Sequence, residues 1–385
     1  MTTALRDKFL ALEQALNNDV LERPDEIRSA LLALISRRHM FMYGQPGAAK
    51  SFLVDRLVSY IGGMDNDDYF KWLLTKFSVP EELFGGPDFK LMQEEGIYKR
   101  ITDKKLPKAS IFWGDELFKA NSAILNSLLT ILNERSFENC DDDPHVPLIS
   151  CFAASNELPA SKELDALADR LHFWHYVKPL AEPSNFVKML QLEVDPNPEP
   201  IITLEDIHEA HLQSLSVKLG ESEIYGTLLS LSDLLKAADI PVTDRRFHQT
   251  VDVIKAEAWL NGHEQAEVFD MKPLRHMLWR TPDHLDKVRE IVLNLTDPFE
   301  KKVEDVAEEF EKAIKAWQKV LLDSDIDQII NDATIEMLGK YKEVKSEVKV
   351  LKEEQKEIGH LYATLDRLEQ RSKAILSQIY EKLKD

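Results

Sequence analysis

Cysteine is nearly absent: the chain has two, Cys140 and Cys151, with no CxxC pair or Cys/His cluster at metal-ligand spacing around them. That excludes a disulfide scaffold and a cysteine-built zinc site, and the two residues read as free thiols in a reducing compartment. No stretch approaches the ~20 apolar residues of a membrane span. The first residues, MTTALRDKFLALEQAL, mix charges into an amphipathic pattern without a signal-peptide core or cleavage site, so the expected location is cytoplasmic. Positive charge is short as well, with 48 Lys+Arg against 68 Asp+Glu and a net charge of -20. A broad grip on nucleic acid or an anionic membrane is therefore disfavoured, although a local basic channel stays open. Histidine offers no metal site: His172 and His175 fall on opposite faces of a strand, and His276 reads as packing or surface.

What is present is enough apolar residue, 44% of 385, for a sizeable core, and enough length for two or three domains at roughly 150 residues each. Three short apolar runs, HMFMYG (39–44), ASIFWGDE (109–116) and PLISCFAASN (147–156), alternate with helical patterns such as SFLVDRLVSYIGG (51–63). Continuous apolar strands between helices point to a parallel sheet covered on both faces. After DPNPEP (195–200) the pattern turns helical to about 297, and from 298 onward it is charged and helical, with apolar residues at 344, 348, 351, 358, 362 and 365 near a heptad repeat. The expected division is an α/β domain over 1–195, a helical domain over 196–297 and a long-helix extension over 298–385.

The chemistry gathers at the strand ends. GQPGAAKS (44–51) lies between a strand and a helix, the context of a phosphate-binding loop. Gly44 and Gly47 let the chain come close to phosphate; with Gln45, Pro46, Ala48, Ala49 and Phe52 they frame Lys50, suited to the β- and γ-phosphates of ATP, and Ser51, suited to Mg²⁺. Ala49 replaces the usual glycine before the lysine, at a position where a negative φ is expected and an L-residue is tolerated. IFWGDE ends in Asp115, placed to hold Mg²⁺ through water, and Glu116, placed to polarise an attacking water; the same pair could serve only as a helix cap. Asn156 ends the third strand and is suited to orienting that water, or to simple turn chemistry.

Taken together, these stretches resemble an AAA+ ATPase of the MoxR class, most like the RavA group. The likeness is carried by ERPDEIRSALLALISRRHMFMYGQPGAAKS, FSVPEELFGG, GIYKRITDKKLPKASIFWGDELFKANSAILNSLLTILNERSF, ASNELPASKELDALADRLHFW, VTDRRFHQTVDVIKAEAWLNG and PLRHMLWRTPDHL, between about residues 22 and 285. It implies a P-loop AAA+ core with an all-α lid, Mg²⁺-dependent ATP hydrolysis in a homo-oligomer, expected to be a hexamer, and a protein client. It also implies a partner with a von Willebrand factor A domain, and it makes Ala49 a family habit. On the matching positions Asn156 is sensor 1, Arg170 the arginine finger that enters a neighbouring subunit, and Arg245 sensor 2, with Arg246 left as the alternative. Residues 84–107 then read as a helix-2 insert shaped as a hairpin, whose Tyr98, Lys99 and Arg100 either contact a client or are simply exposed. No β-like insertion of the RavA kind is visible over 298–385. Two other readings stay open: a nucleic-acid motor, and a nucleotide-sensing scaffold with little turnover.

Overall fold

A computed structural model describes residues 3–322 apart from 140–143, 160–161, 182 and 221–222, together with scattered positions between 339 and 350. It divides into two compact units, Met1–Val292 and Leu293–Asp385.

In the first unit five strands form one parallel sheet: β1 (Met40–Tyr43), β2 (Tyr69–Leu73), β3 (Ile111–Asp115), β4 (Ser150–Ser155) and β5 (Phe173–Tyr176), in the order β5-β1-β4-β3-β2. The three expected strands are the central three. Both faces of β4 are covered along its whole length, so its sequence, SCFAAS, contains no charge. The edge strand β2 was not among the three apolar runs because its YFKWL buries only Phe70.

Helices α1 (Thr3–Asp19), α2 (Pro24–Ile35), α3 (Lys50–Ser59), α4 (Pro80–Phe84), α5 (Phe89–Glu95), α6 (Ser122–Glu134), α7 (Lys162–Ala168) and α8 (Pro183–Gln191) accompany the sheet. In α6, Ile124, Leu125, Leu128, Ile131 and Leu132 recur every three to four residues and are buried. Asn121 starts this helix by accepting a hydrogen bond from Ile124 N.

The following helices are α9 (Leu204–Leu215), α10 (Glu223–Ala237), α11 (Asp244–Asn261) and α12 (Pro282–Thr296), with two-residue parallel pairings at Ile61–Gly62 with Ile202–Thr203 and at Lys218–Leu219 with Gln265–Ala266. Thr243 caps α11 by accepting from Arg246 N at 3.2 Å. This helix packs on the amino-terminal pair: the Phe9 ring meets Trp259 edge-on at 5.5 Å, and Arg28 reaches Glu13, Glu257 and Asn261 at 2.9, 2.9 and 2.7 Å. The fold is thus an α/β P-loop arrangement with a helical lid.

The helix-2 insert differs from the expected hairpin. Asp88 caps α5, Gly96 ends it in the left-handed region (φ 71°), and one antiparallel bridge, Pro87 with Arg100, closes the excursion. A second excursion, before β4, carries its own bridge between Ser136 and His145. Asn139 links the two: its Oδ1 accepts from Arg100 N at 2.7 Å and its Nδ2 donates to Arg100 O at 3.0 Å. Arg100 also donates from Nη1 to Gly85 O at 2.7 Å, and the exposed apolar residues of the insert include Phe89, Met92, Tyr98 and Ile101.

In the second unit α13 (Pro298–Leu322) begins the charged extension. The heptad-like positions 344–365 and Cys140 lie outside the described residues.

Candidate functional site

Parallel pairing aligns the carboxyl ends of β1, β4 and β3, since Tyr43 lies opposite Ser155 and Gly114 opposite Ala153. The phosphate-type loop, Asn156 and the Asp115–Glu116 pair therefore leave the sheet side by side at one edge, where open α/β sheets bind ligands.

The loop is tight for identifiable reasons. Gly44 donates to Ser155 O at 3.3 Å, and a Cβ in its place would lie 2.3 Å from Val177 O, so no other residue fits there. Gly47 has φ +82°. Ala48 is buried, whereas Gln45, Pro46, Gly47 and Ala49 are exposed and Phe52 is 37% exposed. Ala49 corrects the expectation made for it: its φ is +61° and ψ 22°, in the left-handed region that costs an L-residue roughly 1 kcal/mol. It starts α3, and no side chain caps that helix, whose leading N–H groups face the loop without a side-chain acceptor.

Lys50 follows and folds back on the loop, donating from Nζ to Gly44 O at 2.6 Å and Gln45 O at 2.9 Å. Burial lowers its pKa, opposed by the nearby Asp115 and Glu116 carboxylates. Asp115 is shifted the other way. Burial raises it, helped by Glu116, while Glu116 N–H (donating to its Oδ1 at 3.0 Å), Lys50 and Lys71 hold it down. Glu116 has φ +54°, a second non-glycine residue in the left-handed region at this edge. The two residues leave β1 and β3, on either side of β4, at the same sheet edge, a placement where backbone strain often accompanies function. Ser51 is half-buried in the first turn of α3, and Asn156 Oδ1 is buried with no hydrogen-bond partner. A lysine resting on carbonyls, an uncapped helix start, two carboxylates and an unsatisfied amide oxygen form a donor and acceptor set that fits a polyphosphate with its magnesium ion. Lys119, which reaches Glu116 at 3.3 Å, was not singled out from the sequence.

The family model for the MoxR domain of MoxR-vWA-beta-propeller ternary systems matches residues 7–217, more than half of the chain. The chain belongs to the MoxR class of AAA+ ATPases. An AAA lid domain model matches residues 223–292. Two uncharacterized proteins of Methanocaldococcus jannaschii are similar to it. One is 38% identical over 288 residues (75% of this chain, 76% of the relative), the other 35% over 352 residues (90% of each). A structural protein of Acidianus two-tailed virus is 28% identical over 215 residues, 53% of this chain and 35% of the viral one. Among solved structures, a Cytophaga hutchinsonii protein with a provisional ATPase assignment shares the fold at TM-score 0.59 and 16% identity, covering 76% of this chain and 96% of its own.

The remaining MoxR-type positions form a separate group. Arg170 donates from Nη1 to Ala166 O at 2.5 Å, and its Nε is buried without a partner. Its pKa is lowered by burial and then by the Arg245 charge, with Asp169 and Glu134 opposing. Asp169 itself is engaged by Arg280. Arg245 and Arg246, adjacent in sequence, differ completely: Arg245 is exposed, whereas Arg246 is buried and donates to His172 O at 2.9 Å, Leu171 O at 2.7 Å, Ala168 O at 3.4 Å and Met277 O. Arg246 has no donor left to offer a phosphate except its buried Nε.

The histidines are structural. His39 and His172 lie 5.7 Å apart and His175 stacks on His276 at 4.4 Å, all of them buried or nearly so. Among the described residues no group of three His, Cys, Asp or Glu is placed to hold a metal, and no helix is long and apolar enough to cross a membrane.

Proposed function

We propose that this MoxR-class chain hydrolyses Mg²⁺-bound ATP between identical subunits of a ring and uses the cycle to remodel a protein client. The observation that carries the reading is the meeting of Lys50, Asp115, Glu116 and the unpartnered Asn156 Oδ1 at one sheet edge. In this reading the arginine that stabilises the transferring phosphoryl group is Arg170 of a second copy.

In this reading, Gly44 to Ala49 wrap the phosphates with backbone N–H groups, while Lys50 exchanges its carbonyl contacts for phosphate oxygens. Ser51 and Asp115 hold the magnesium ion, which supplies charge neutralisation at the transferring phosphoryl group. Glu116 takes the proton of a water oriented by Asn156. Arg170 enters the next subunit's site, Arg245 touches the γ-phosphate and reports nucleotide state to the lid, and the ring is expected to be hexameric. The partner is a von Willebrand factor A domain protein, as in the ternary systems named for the matching domain, and the client acts on the insert face. Complex maturation and metal-cofactor insertion are the remodelling tasks considered; within the class, the likeness to the RavA group rests on the residue stretches between 22 and 285.

The test is ATP turnover against protein concentration for wild type, Glu116→Gln and Arg170→Ala, with mass photometry on the same samples. Turnover that rises as subunits assemble, and is lost in Arg170→Ala while assembly persists, supports the reading. Wild type no faster than Glu116→Gln at every concentration overturns it and moves the scaffold alternative ahead.

A further inference from the structure

We infer that Lys119 is a positioning residue for the Glu116 carboxylate, an inference that rests on the proposed ATP hydrolysis. Beyond β3 the chain makes one turn of 3-10 helix, Leu117–Lys119, closed by Lys119 N donating to Glu116 O at 2.9 Å. Glu116 opens this turn, and the turn brings the Lys119 side chain back to its carboxylate. Its Nζ comes within 3.3 Å of Glu116 Oε2.

The same oxygen faces a second element. Ser155, the last residue of β4, donates from Oγ toward Glu116 Oε2 at 3.5 Å while accepting from Glu157 N at 3.1 Å. One oxygen of the carboxylate, Oε2, is therefore engaged from both its own turn and the neighbouring strand. The backbone makes such a tether useful. With φ +54° and ψ 42°, Glu116 is held in a sparsely populated conformation, and its side chain gains no support from a regular strand or helix. Lys50, the other nearby cation, is committed to the carbonyls of its own loop. Lys119 is thus the cation that reaches the carboxylate, and its side chain is 29% exposed.

A general base works when held within a small angle of its water, and a loosened one loses turnover without losing substrate binding. The experiment measures kcat and KM for ATP, ATP binding by a fluorescent analogue, and melting temperature. The proteins are wild type, Lys119→Ala, Lys119→Arg, Glu116→Gln and the Glu116→Gln/Lys119→Ala double variant. The expected result is a kcat lowered about tenfold in Lys119→Ala, with KM and binding within twofold of wild type. Lys119→Arg restores most of it, and the alanine substitution changes nothing further in the Glu116→Gln background.

A raised kcat in Lys119→Ala overturns the inference and makes the contact a restraint on hydrolysis. An undiminished kcat, or an equal loss in the Glu116→Gln background, also overturns it, since Lys119 would then not act through Glu116. These outcomes presuppose wild-type turnover above Glu116→Gln. Where the two are equal, the ATPase reading falls and the inference with it, which separates the two failures.

Discussion

The two edges of the one sheet are built on opposite principles. At the carboxyl edge, Ala49 and Glu116 hold left-handed backbones, Asn156 Oδ1 is buried without a partner, and Lys50 borrows carbonyls from its own loop. At the amino edge, polar groups are bonded several times over. Arg135 donates to Leu132 O at 2.7 Å, Arg37 O at 3.1 Å and Ile149 O at 3.2 Å, His39 Nδ1 accepts from Cys151 N at 2.9 Å, and Arg246 ties the lid to the chain before β5. A buried polar group left half-satisfied is expensive, so the first edge is poised for a ligand, while the second is tied by many carbonyls even though Arg246 Nε and His172 Nε2 stay unpartnered. Left-handed backbone occurs at both edges, since Arg37 and Arg135 (φ 53° each) adopt it at the amino one, so the difference lies in bonding: carbonyls hold the amino-edge arginines in place, whereas the buried Asn156 Oδ1 lacks a donor.

The largest effect that would sharpen this contrast is on activity at the carboxyl edge. Lys50→Met is expected to lower kcat/KM for ATP by at least about 100-fold, the scale of removing one preorganised cation from a transferring phosphoryl group. Its melting temperature should stay near the wild-type value, because the lysine is half-exposed and its two acceptors are loop carbonyls. A large loss of stability would mean that the loop is a structural turn.

The next effect belongs to the amino edge, and it separates two adjacent arginines. Arg246→Met strands the carbonyls of Leu171, His172 and Met277 inside the core–lid seam and should lower unfolding free energy by about 3–5 kcal/mol in urea denaturation. Arg245→Met, at an exposed position, should change it by less than about 0.5 kcal/mol. Equal losses would break the comparison.

Protonation gives a third handle. Burial pushes His39 and His172 well below the ordinary histidine value, and the neighbouring Arg135 adds to this at His39, while His39 and Arg38 do so at His172. The folded-state pKa is depressed, so below about pH 6.5 the unfolded chain binds protons that the folded chain refuses. Stability should be level above that pH and fall as pH drops, by about 1 kcal/mol per histidine for each pH unit. His172→Asn, whose amide oxygen can accept the His39 N–H that the ring Nδ1 accepts at 3.1 Å, should remove part of that slope, as denaturation between pH 7 and 5 would show.

Much of the carboxyl edge was legible in the sequence because its information is local. GQPGAAKS and IFWGDE each sit within one strand-to-loop junction, and β1, β3 and β4 announce themselves as continuous apolar runs. The amino edge was not legible. Arg246 is written next to Arg245 in TDRR, and only the packing of α11 against the residues before β5 decides which of them is buried. The edge strand β2 lacked a continuous apolar run, and the helical turn inside the expected hairpin depended on Asp88 capping α5. The sign of φ at Ala49 was misjudged for a related reason: alanine has no preference for that region, so the loop imposes it.

That imposed conformation gives the smallest and most discriminating expectation. Ala49 stands at φ +61°, exposed, at the start of α3, where glycine would pay no steric penalty but would enlarge the unfolded chain's freedom. Relief of the left-handed strain, roughly 1 kcal/mol or more, exceeds the entropy of one added glycine, so Ala49→Gly should stabilise the protein by about 0.5–1 kcal/mol. A merely structural turn would register only this gain. A loop shaped to hold phosphate should also change its ATP affinity, because the methyl group restricts the backbone whose N–H groups surround the ligand. A stability gain accompanied by altered nucleotide binding therefore assigns the strain to the site, while a gain with unaltered binding assigns it to the turn alone.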